Sequence, residues 1–301
     1  HNIYYFWDTK IHILMKIIKE TELILNNEQK IYHLNLSKEE IAKNIILVGD
    51  PNRVKQISDK FDNINFKISN REFTTHTGEK NNQNISVIST GIGTDNIDIV
   101  INELDALFNI DFSKRKVKKQ KTKLNIFRLG TSGSIQQDVR VDSIVASSFG
   151  LGLDGLAYFY KKRNILEEHI QNAFIEHTNW HDALPKPYII KGSEKLLKMF
   201  PNIKQGITAT APGFYGPQGR KLRLDFSINN FHKKLSSFSH NNLAITNFEM
   251  ETSALYYLGR TLGHNTLTIC AIIGNRVNKS YSKNYKITID KMIDLVLEKI
   301  C

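Results

Sequence analysis

The sequence predicts an α/β layered domain, and three observations carry that prediction. Short β-branched runs recur along the chain with little polar alternation, as in strands buried on both faces. Stretches with an apolar stripe at helical spacing lie between them. Glycine-rich turns follow the first three of these runs, where an α/β sheet gathers ligands outside the carboxyl ends of its strands.

In chain order, NIILVGD (44–50), NISVIST (84–90) and LNIFRLG (124–130) read as the first three strands. They run into LVGDPNR, STGIGTDN and RLGTSGS, whose glycines let the backbone approach a ligand and turn its amides toward an anion. Between the second and third strands, TDNIDIVINELDALF places Ile97, Val100, Ile101, Leu104 and Phe108 on one helical stripe. DSIVASS (142–148), LAITNFE (243–249) and LTICAIIGN (267–275) read as further strands. The segment after Glu251, TSALYYLGRTLGH, reads as a helix that stops at Gly263. The last helix carries Ile289, Met292, Ile293, Val296, Leu297 and Ile300 on one face. No internal repeat and no Pro/Ser-rich linker divides the chain. Residues 31–301 are therefore expected to form one domain, with residues 1–30 as an N-terminal extension, in part disordered. The first methionine is Met15, so residues 1–14 are expected to lie ahead of the native start or in that disordered part.

Of the 301 residues, 41% are hydrophobic and 24% charged, an ordinary globular balance. No run of about 18 apolar residues suggests a membrane span. The two cysteines, Cys270 and Cys301, make no disulfide framework, which fits a reducing cytoplasm. CxxC, HxH and HExxH are all missing from the sequence, so no transition-metal site is expected. The net charge of +11 owes much to SKRKVKKQKTK (113–123), with seven Lys or Arg. That run reads as a solvated surface insertion. A nucleic-acid surface is the weaker alternative, because no aromatic residue interleaves with the lysines.

The glycine turns match neither GxGxxG nor GxxxxGK[ST]. Two of them bring an arginine, Arg53 and Arg128, and NREFTT adds Arg71. Guanidinium forks together with glycine amides suit a free phosphate, although each arginine taken singly reads more readily as half of a surface ion pair. The loop GFYGPQGR (213–220) carries Phe214, Tyr215, Gln218 and Arg220, more chemistry than a plain connector needs.

The ordered set GDPNRV, REFTT, STGIG, RLGTSGSIQ, LDG, FYGPQGR, FEMET and IIGNR runs from about His33 to the C-terminus. It resembles the nucleoside phosphorylase-I family, and within it the uridine phosphorylase branch. Each motif alone is weak; their common order is specific. The resemblance implies a three-layer α/β/α phosphorylase/hydrolase-like fold around a mixed, partly closed sheet. It implies a homo-oligomer, at least a dimer and usually a hexamer of dimers. The implied reaction is reversible: uridine and phosphate give uracil and ribose 1-phosphate, with phosphate as co-substrate and no required cofactor.

Carried over by motif, the resemblance gives Gly49, Arg53, Arg128 and Thr131 to phosphate, and Arg71 to the phosphate of a neighbouring subunit. His33 would cross a dimer interface to the ribose 5′-hydroxyl. Glu249, Met250 and Glu251 would form the ribose site, with Glu251 accepting from ribose hydroxyls. Phe214, Gln218 and Arg220 would recognise the pyrimidine, with Ser132 and Gly133 beside the base and Arg276 near its O4. A monovalent-cation site in some members resembles Glu72, Ile92 and Asn96, which makes K⁺ an optional ligand. Arg53, Arg128, Glu251 and Arg220 would be the catalytic set.

These residue types suit the chemistry. Breaking the glycosidic bond gives the sugar oxocarbenium character, and arginines can position the phosphate nucleophile while offsetting its charge. A glutamine amide can pair with uracil N3–H and an adjacent carbonyl, and a guanidinium can stabilise the charge that builds on the leaving base. Purine-cleaving relatives usually place a Ser-Asp pair after the late strand; Gly274, Asn275 and Arg276 stand there instead. Gly274 is small and is expected to widen the base pocket. The alternative readings are a broader-specificity or purine phosphorylase, or a water-using nucleosidase, of the same family.

Overall fold

The computed structural model describes residues 17–228 and 230–301, and the expectation for residues 1–14 lies outside the described residues. The chain opens its sheet with β1 (Asn44–Val48), which leads into α1 (Pro51–Ser58). Asp50 caps that helix, accepting the Asn52 N–H at 2.9 Å, and Pro51 occupies the first turn, where no N–H is required. A meander follows in β2 (Asn63–Asn70), β3 (Phe73–Lys80) and β4 (Gln83–Ser89), then α2 (Thr94–Asn109). Two short strands, β5 (Ile110–Asp111) and β6 (Lys116–Val117), form a separate ladder. The chain continues through β7 (Asn125–Ser134), β8 (Ile144–Gly152), α3 (Glu168–Thr178), β9 (Tyr188–Lys191), α4 (Glu194–Leu197) and β10 (Lys204–Thr210). It ends with α5 (Phe231–Ser236), β11 (Ser239–His240), β12 (Leu243–Glu249), α6 (Thr252–Leu262), β13 (Asn265–Asn275), β14 (Ser280–Tyr281) and α7 (Tyr285–Ile300).

Among the described residues the main sheet has 12 strands, with the path β11-β12-β10-β8-β13-β7-β1-β4-β3-β2 and with β9 and β14 paired to β8 and β13. It is mixed: β7 pairs parallel with β1 and β13, whereas β13 pairs antiparallel with β8. It is also partly closed. β12 reaches round to pair antiparallel with β7, through Asn247↔Ser134 and Phe248↔Gly133, so β12, β10, β8, β13 and β7 form a ring. Both properties agree with the expected fold.

Helices cover both faces. The stripe of α2 and the buried residues of α6 share one core with Ile45, Leu47 and Ile88 of the sheet. On the other face α1 and α7 pack over Ile46, Val48, Leu129 and Ile269. In α7 Ile289, Met292, Ile293, Val296 and Leu297 are each at most 3% exposed, and each such side chain contributes about 1.5–3 kcal/mol by burial. The strand expected at 142–148 begins two residues later and runs on to Gly152.

The described part of the N-terminal segment is packed against the domain. Leu23 is buried, and Leu25 bridges to Ile31. The Lys-rich segment holds it there: Arg115 donates to Ile18 O at 2.9 Å, to Lys19 O at 3.1 Å and to Leu23 O. The insertion, expected to project from the surface, does so only in part: Lys114, Lys119, Lys121 and Lys123 are exposed, but Arg115 turns inward, Lys118 donates to Phe108 O at 2.7 Å and Phe112 packs on the core. No described helix is long and apolar enough to cross a membrane.

Candidate active site

The carboxyl ends of β1, β4, β7, β10, β12 and β13 supply the candidate residues. At the centre is Arg128 on β7, only 5% exposed. Its Nη2 donates to Glu251, and its Nη1 lies 3.6 Å from Glu249. Nε and Nη1 are buried with no hydrogen-bond acceptor among the described residues. Unmatched buried donors are costly, so these are oriented for an acceptor. Arg53, near the start of α1, donates to Leu129 O at 3.3 Å. Burial, and then the charge of nearby Arg128, push its pKa below the usual arginine value. Two guanidiniums this close repel each other, and an oxyanion beside them relieves that repulsion. For Arg128 burial opposes the charge, but Glu251 and Glu249 outweigh it and raise its pKa.

The backbone around Arg128 is shaped for it. A Cβ on Gly130 would stand 2.2 Å from Arg128 Nη1 and 3.3 Å from Cys270 Sγ. The Cys270 thiol is pushed up to about 12, by burial and then by Glu249, and is inert as a nucleophile at neutral pH. A Cβ on Gly49 would lie 3.4 Å from the Gly91 carbonyl, so the ends of β1 and β4 meet there. Gly93 has φ +106° and donates its N–H to Glu251 at 2.8 Å.

The two glutamates differ. Glu251 stands at the N-cap position of α6, but its carboxylate turns away from the helix to Gly93 and Arg128. Glu249 serves the helix end instead, accepting from the N–H of Glu251 at 2.9 Å and of Thr252 at 2.9 and 3.1 Å. It also takes the Thr210 hydroxyl at 2.7 Å. Glu249, and not the N-cap residue Glu251, therefore satisfies the first amides of α6. Burial pushes the Glu251 carboxyl up to about 7; Arg128 pulls it down and Glu249 pushes it further up. Met250 is half-buried between them, and Thr131 is half-buried on β7.

The 213–220 loop holds itself together. Gly216–Gln218 form one 3-10 turn, and Gly219 takes the left-handed conformation at φ +63°. The Arg220 guanidinium lies 3.6 Å over the Phe214 ring and donates to Phe214 O at 2.7 Å and to Gln218 Oε1. Gln218 is 3% exposed and Phe214 50%. Tyr215 meets Phe214 edge-on at 5.3 Å and is itself half exposed. Arg276 reaches the same loop, donating to Gln218 O. Burial, then Arg220, lower its pKa to about 10. Ser132 accepts from Asn247 at 2.9 Å, and Gly133 lies beside the Gly274 carbonyl. Gly274 does not leave an open space. A Cβ there would sit 3.4 Å from the Tyr281 ring, which covers the position from β14. Asn275 is committed to the backbone, donating to Gln136 O and Val139 O at 2.8 Å each.

His33 and Arg71 form a separate cluster. His33 Nδ1 lies 2.6 Å from Glu103, and its carbonyl accepts from Asn70 at 2.8 Å. Arg71 has φ +54° and sits 5.5 Å from the Tyr32 ring. Among the described residues no hydrogen bond joins either to Arg128 or Glu251. Glu72 and Asn96 flank Gly91, while Ile92 is 68% exposed. No group of three or more His, Cys, Asp or Glu able to hold a metal ion occurs among the described residues. Sequence reasoning missed His232, which contacts both Gly219 and Arg276. Nothing in NNFHKKL marks it. It also missed Thr210, at the end of a strand the hydrophobic pattern did not reveal.

Residues 43–299 match the model of the phosphorylase superfamily. The uridine phosphorylase of Thermococcus kodakarensis is 29% identical over 258 residues, 84% of this chain and 80% of that protein. A DeoD-type purine nucleoside phosphorylase of Buchnera aphidicola is 27% identical over 271 residues, 89% of this chain and 98% of that protein. The crystal structure of a Trypanosoma brucei nucleoside phosphorylase, described as showing uridine phosphorylase activity, superposes with a TM-score of 0.83 at 27% identity. It covers 92% of this chain and 99% of its own.

Proposed function

This chain belongs to the phosphorylase superfamily, and from that premise we propose that it cleaves uridine with inorganic phosphate to uracil and ribose 1-phosphate. The observation that carries the reading is the pairing of two unlike groups at one sheet edge. The Arg53–Arg128 pair with Glu251 suits phosphate and sugar, and the Gln218–Arg220–Arg276 group suits a base with carbonyl edges.

Phosphate is held by Arg53 and Arg128, with Gly49 and Thr131 beside it. Glu251 accepts from the ribose hydroxyls and faces the positive charge that grows on the sugar. Met250 lines the sugar. Glu249 acts through Glu251, by fixing the start of α6. Phe214 offers a ring face to the base. Gln218 Oε1 already accepts from Arg220, and its second lone pair takes uracil N3–H. Arg220 and Arg276 donate to the carbonyls that gain charge as the bond breaks, so no general acid is needed. Asn275 stands where a purine-cleaving relative would place its acid, and its amide is spent on the backbone. That favours pyrimidine over purine.

We assign the chain to a cytoplasmic homo-oligomer of dimers, usually a hexamer in the family, acting in pyrimidine salvage. There His33 and Arg71 serve a neighbouring subunit's site. Glu72 and Asn96 offer oxygens that suit K⁺ only when a second subunit adds its own.

The test is incubation of the pure protein with uridine, thymidine, inosine and adenosine, each with and without phosphate. Uracil released only in the presence of phosphate supports the reading. Release of hypoxanthine or adenine at a comparable rate, or release without phosphate, overturns it.

A further inference from the structure

Among the described residues two side chains hold the base loop from outside by hydrogen bonds, and one of them, Arg276, belongs to a motif named above. The other is His232 on α5. Its Nε2 lies 2.9 Å from Gly219 O, and Arg276 Nη1 approaches both ring nitrogens, 2.5 Å from Nε2 and 3.1 Å from Nδ1. A carbonyl can only accept and a guanidinium can only donate. A neutral ring, with one N–H and one lone pair, can serve both partners, whereas a protonated ring has no acceptor left for Arg276. Arg276 in turn donates to the carbonyl of Gln218. The ring thus clamps two consecutive backbone carbonyls of the loop, one directly and one through Arg276. The fit is close, because a Cβ on Gly219 would stand 2.4 Å from Nε2.

We propose that His232 is a positioning residue for base recognition, whose neutral ring ties Gly219 and Arg276 together and so holds Gln218 and Arg220 at the edge of the base. The proposal rests on the assignment of the 213–220 loop to the base. The charged groups acting on the ring are Arg276, from the segment after β13, and Arg220, from the loop; both are cations. Phe248 of β12 supplies an uncharged ring edge at 6.3 Å. Lys233 and Lys234 follow on the same helix. Burial first, and then the two arginines, push the His232 pKa below its ordinary 6.5. Protonation removes the ring's one acceptor and sets a third cation between two others. The latch is therefore whole above pH 6.5 and is lost as pH falls through the lower folded-state value.

The experiment measures uridine and phosphate KM and kcat between pH 5 and 8 for the wild type, His232→Leu and His232→Gln. Amide hydrogen exchange of residues 213–220 is followed in parallel. His232→Leu should raise the uridine KM about tenfold, the worth of one to two hydrogen bonds, with the phosphate KM unchanged and faster exchange in the loop. Glutamine keeps a donor and an acceptor but does not titrate. His232→Gln should recover most of the KM and show a smaller acid-side rise in uridine KM than the wild type, the part due to Glu251 remaining in both. Three results overturn the proposal: wild-type uridine KM and loop exchange in His232→Leu, an equal effect on the phosphate KM, or the same acid-side uridine KM profile in wild type and His232→Gln. Should the wild type not cleave uridine, the base assignment fails. Loop exchange then decides the His232 latch alone, and is overturned by identical exchange in wild type and His232→Leu at pH 7.5.

Discussion

Replacing Arg128 with methionine removes the one cation set between two buried carboxylates. Glu249 keeps three donors, the Thr210 hydroxyl and the N–H groups of Glu251 and Thr252. Glu251, 3% exposed, keeps only the Gly93 N–H among the described residues. The penalty therefore falls on Glu251. Breaking a buried pair from one side costs about 3–5 kcal/mol, and that is the loss expected at pH 8. Protonation relieves it. The Glu251 carboxyl already sits near 7, above its ordinary 4.5, and loss of Arg128 raises it further. A raised folded-state value means that the native state binds more protons than the unfolded chain, so stability falls as pH rises through that window. The deficit relative to wild type should thus shrink on acidification, by about 1.4 kcal/mol for each unit by which the substitution raises that pKa. Urea unfolding of both proteins at pH 8 and pH 6 measures it. A loss below about 1 kcal/mol at pH 8, or the same loss at both pH values, refutes the view of Arg128 as the counter-ion that lets Glu251 stay charged.

Gly130→Ala places a methyl group on the Arg128 guanidinium; it should cost about 1–3 kcal/mol of stability and raise the phosphate KM, read by the melting midpoint and by phosphate titration. Arg220→Ala should slow uridine cleavage about 10²–10³-fold with the melting curve unchanged, because the side chain lies on a surface loop. The acid limb of kcat/KM for uridine should break near pH 7, where Glu251 loses its acceptor charge; a profile flat from pH 8 to 5.5 contradicts that role. Arg115→Ala should lower the unfolding free energy by about 1–3 kcal/mol, through three backbone acceptors lost. Substituting Lys116, Lys119 and Lys121 by Gln should leave both stability and turnover as they are.

Legibility in the sequence followed burial. The strands β1, β4, β7, β12 and β13 and the helices α2, α6 and α7 present dense aliphatic runs or stripes, and periodicity finds them. β2 lies at the sheet edge with mostly exposed residues, and β3 alternates threonine with glycine and charge, so neither has an apolar signature. β10 is buried, but its sequence KQGITAT fills that space with small and hydroxyl side chains. At the site, arginines beside glycine turns were visible as a pattern. The division of labour between Glu249 and Glu251 was not, because it depends on which carboxylate meets the first amides of α6. His232 was invisible for a related reason: it acts on carbonyls of residues 218 and 219, which no side-chain motif records.

The seam between β12 and β7 has a consequence for how such a protein can diversify. By closing five strands into a hoop, it locks the glutamates at the end of β12 and the arginine of β7 into a frame with no hinge between them. Change in the sugar-and-phosphate half must then pass through the whole hoop at once. The 213–220 loop is fastened to that frame largely by polar clasps. It can be lengthened, shortened or exchanged while the frame stands. A scaffold built in this way can trade one nucleobase, together with the donors that receive it as it leaves, and keep the sugar-and-phosphate half untouched.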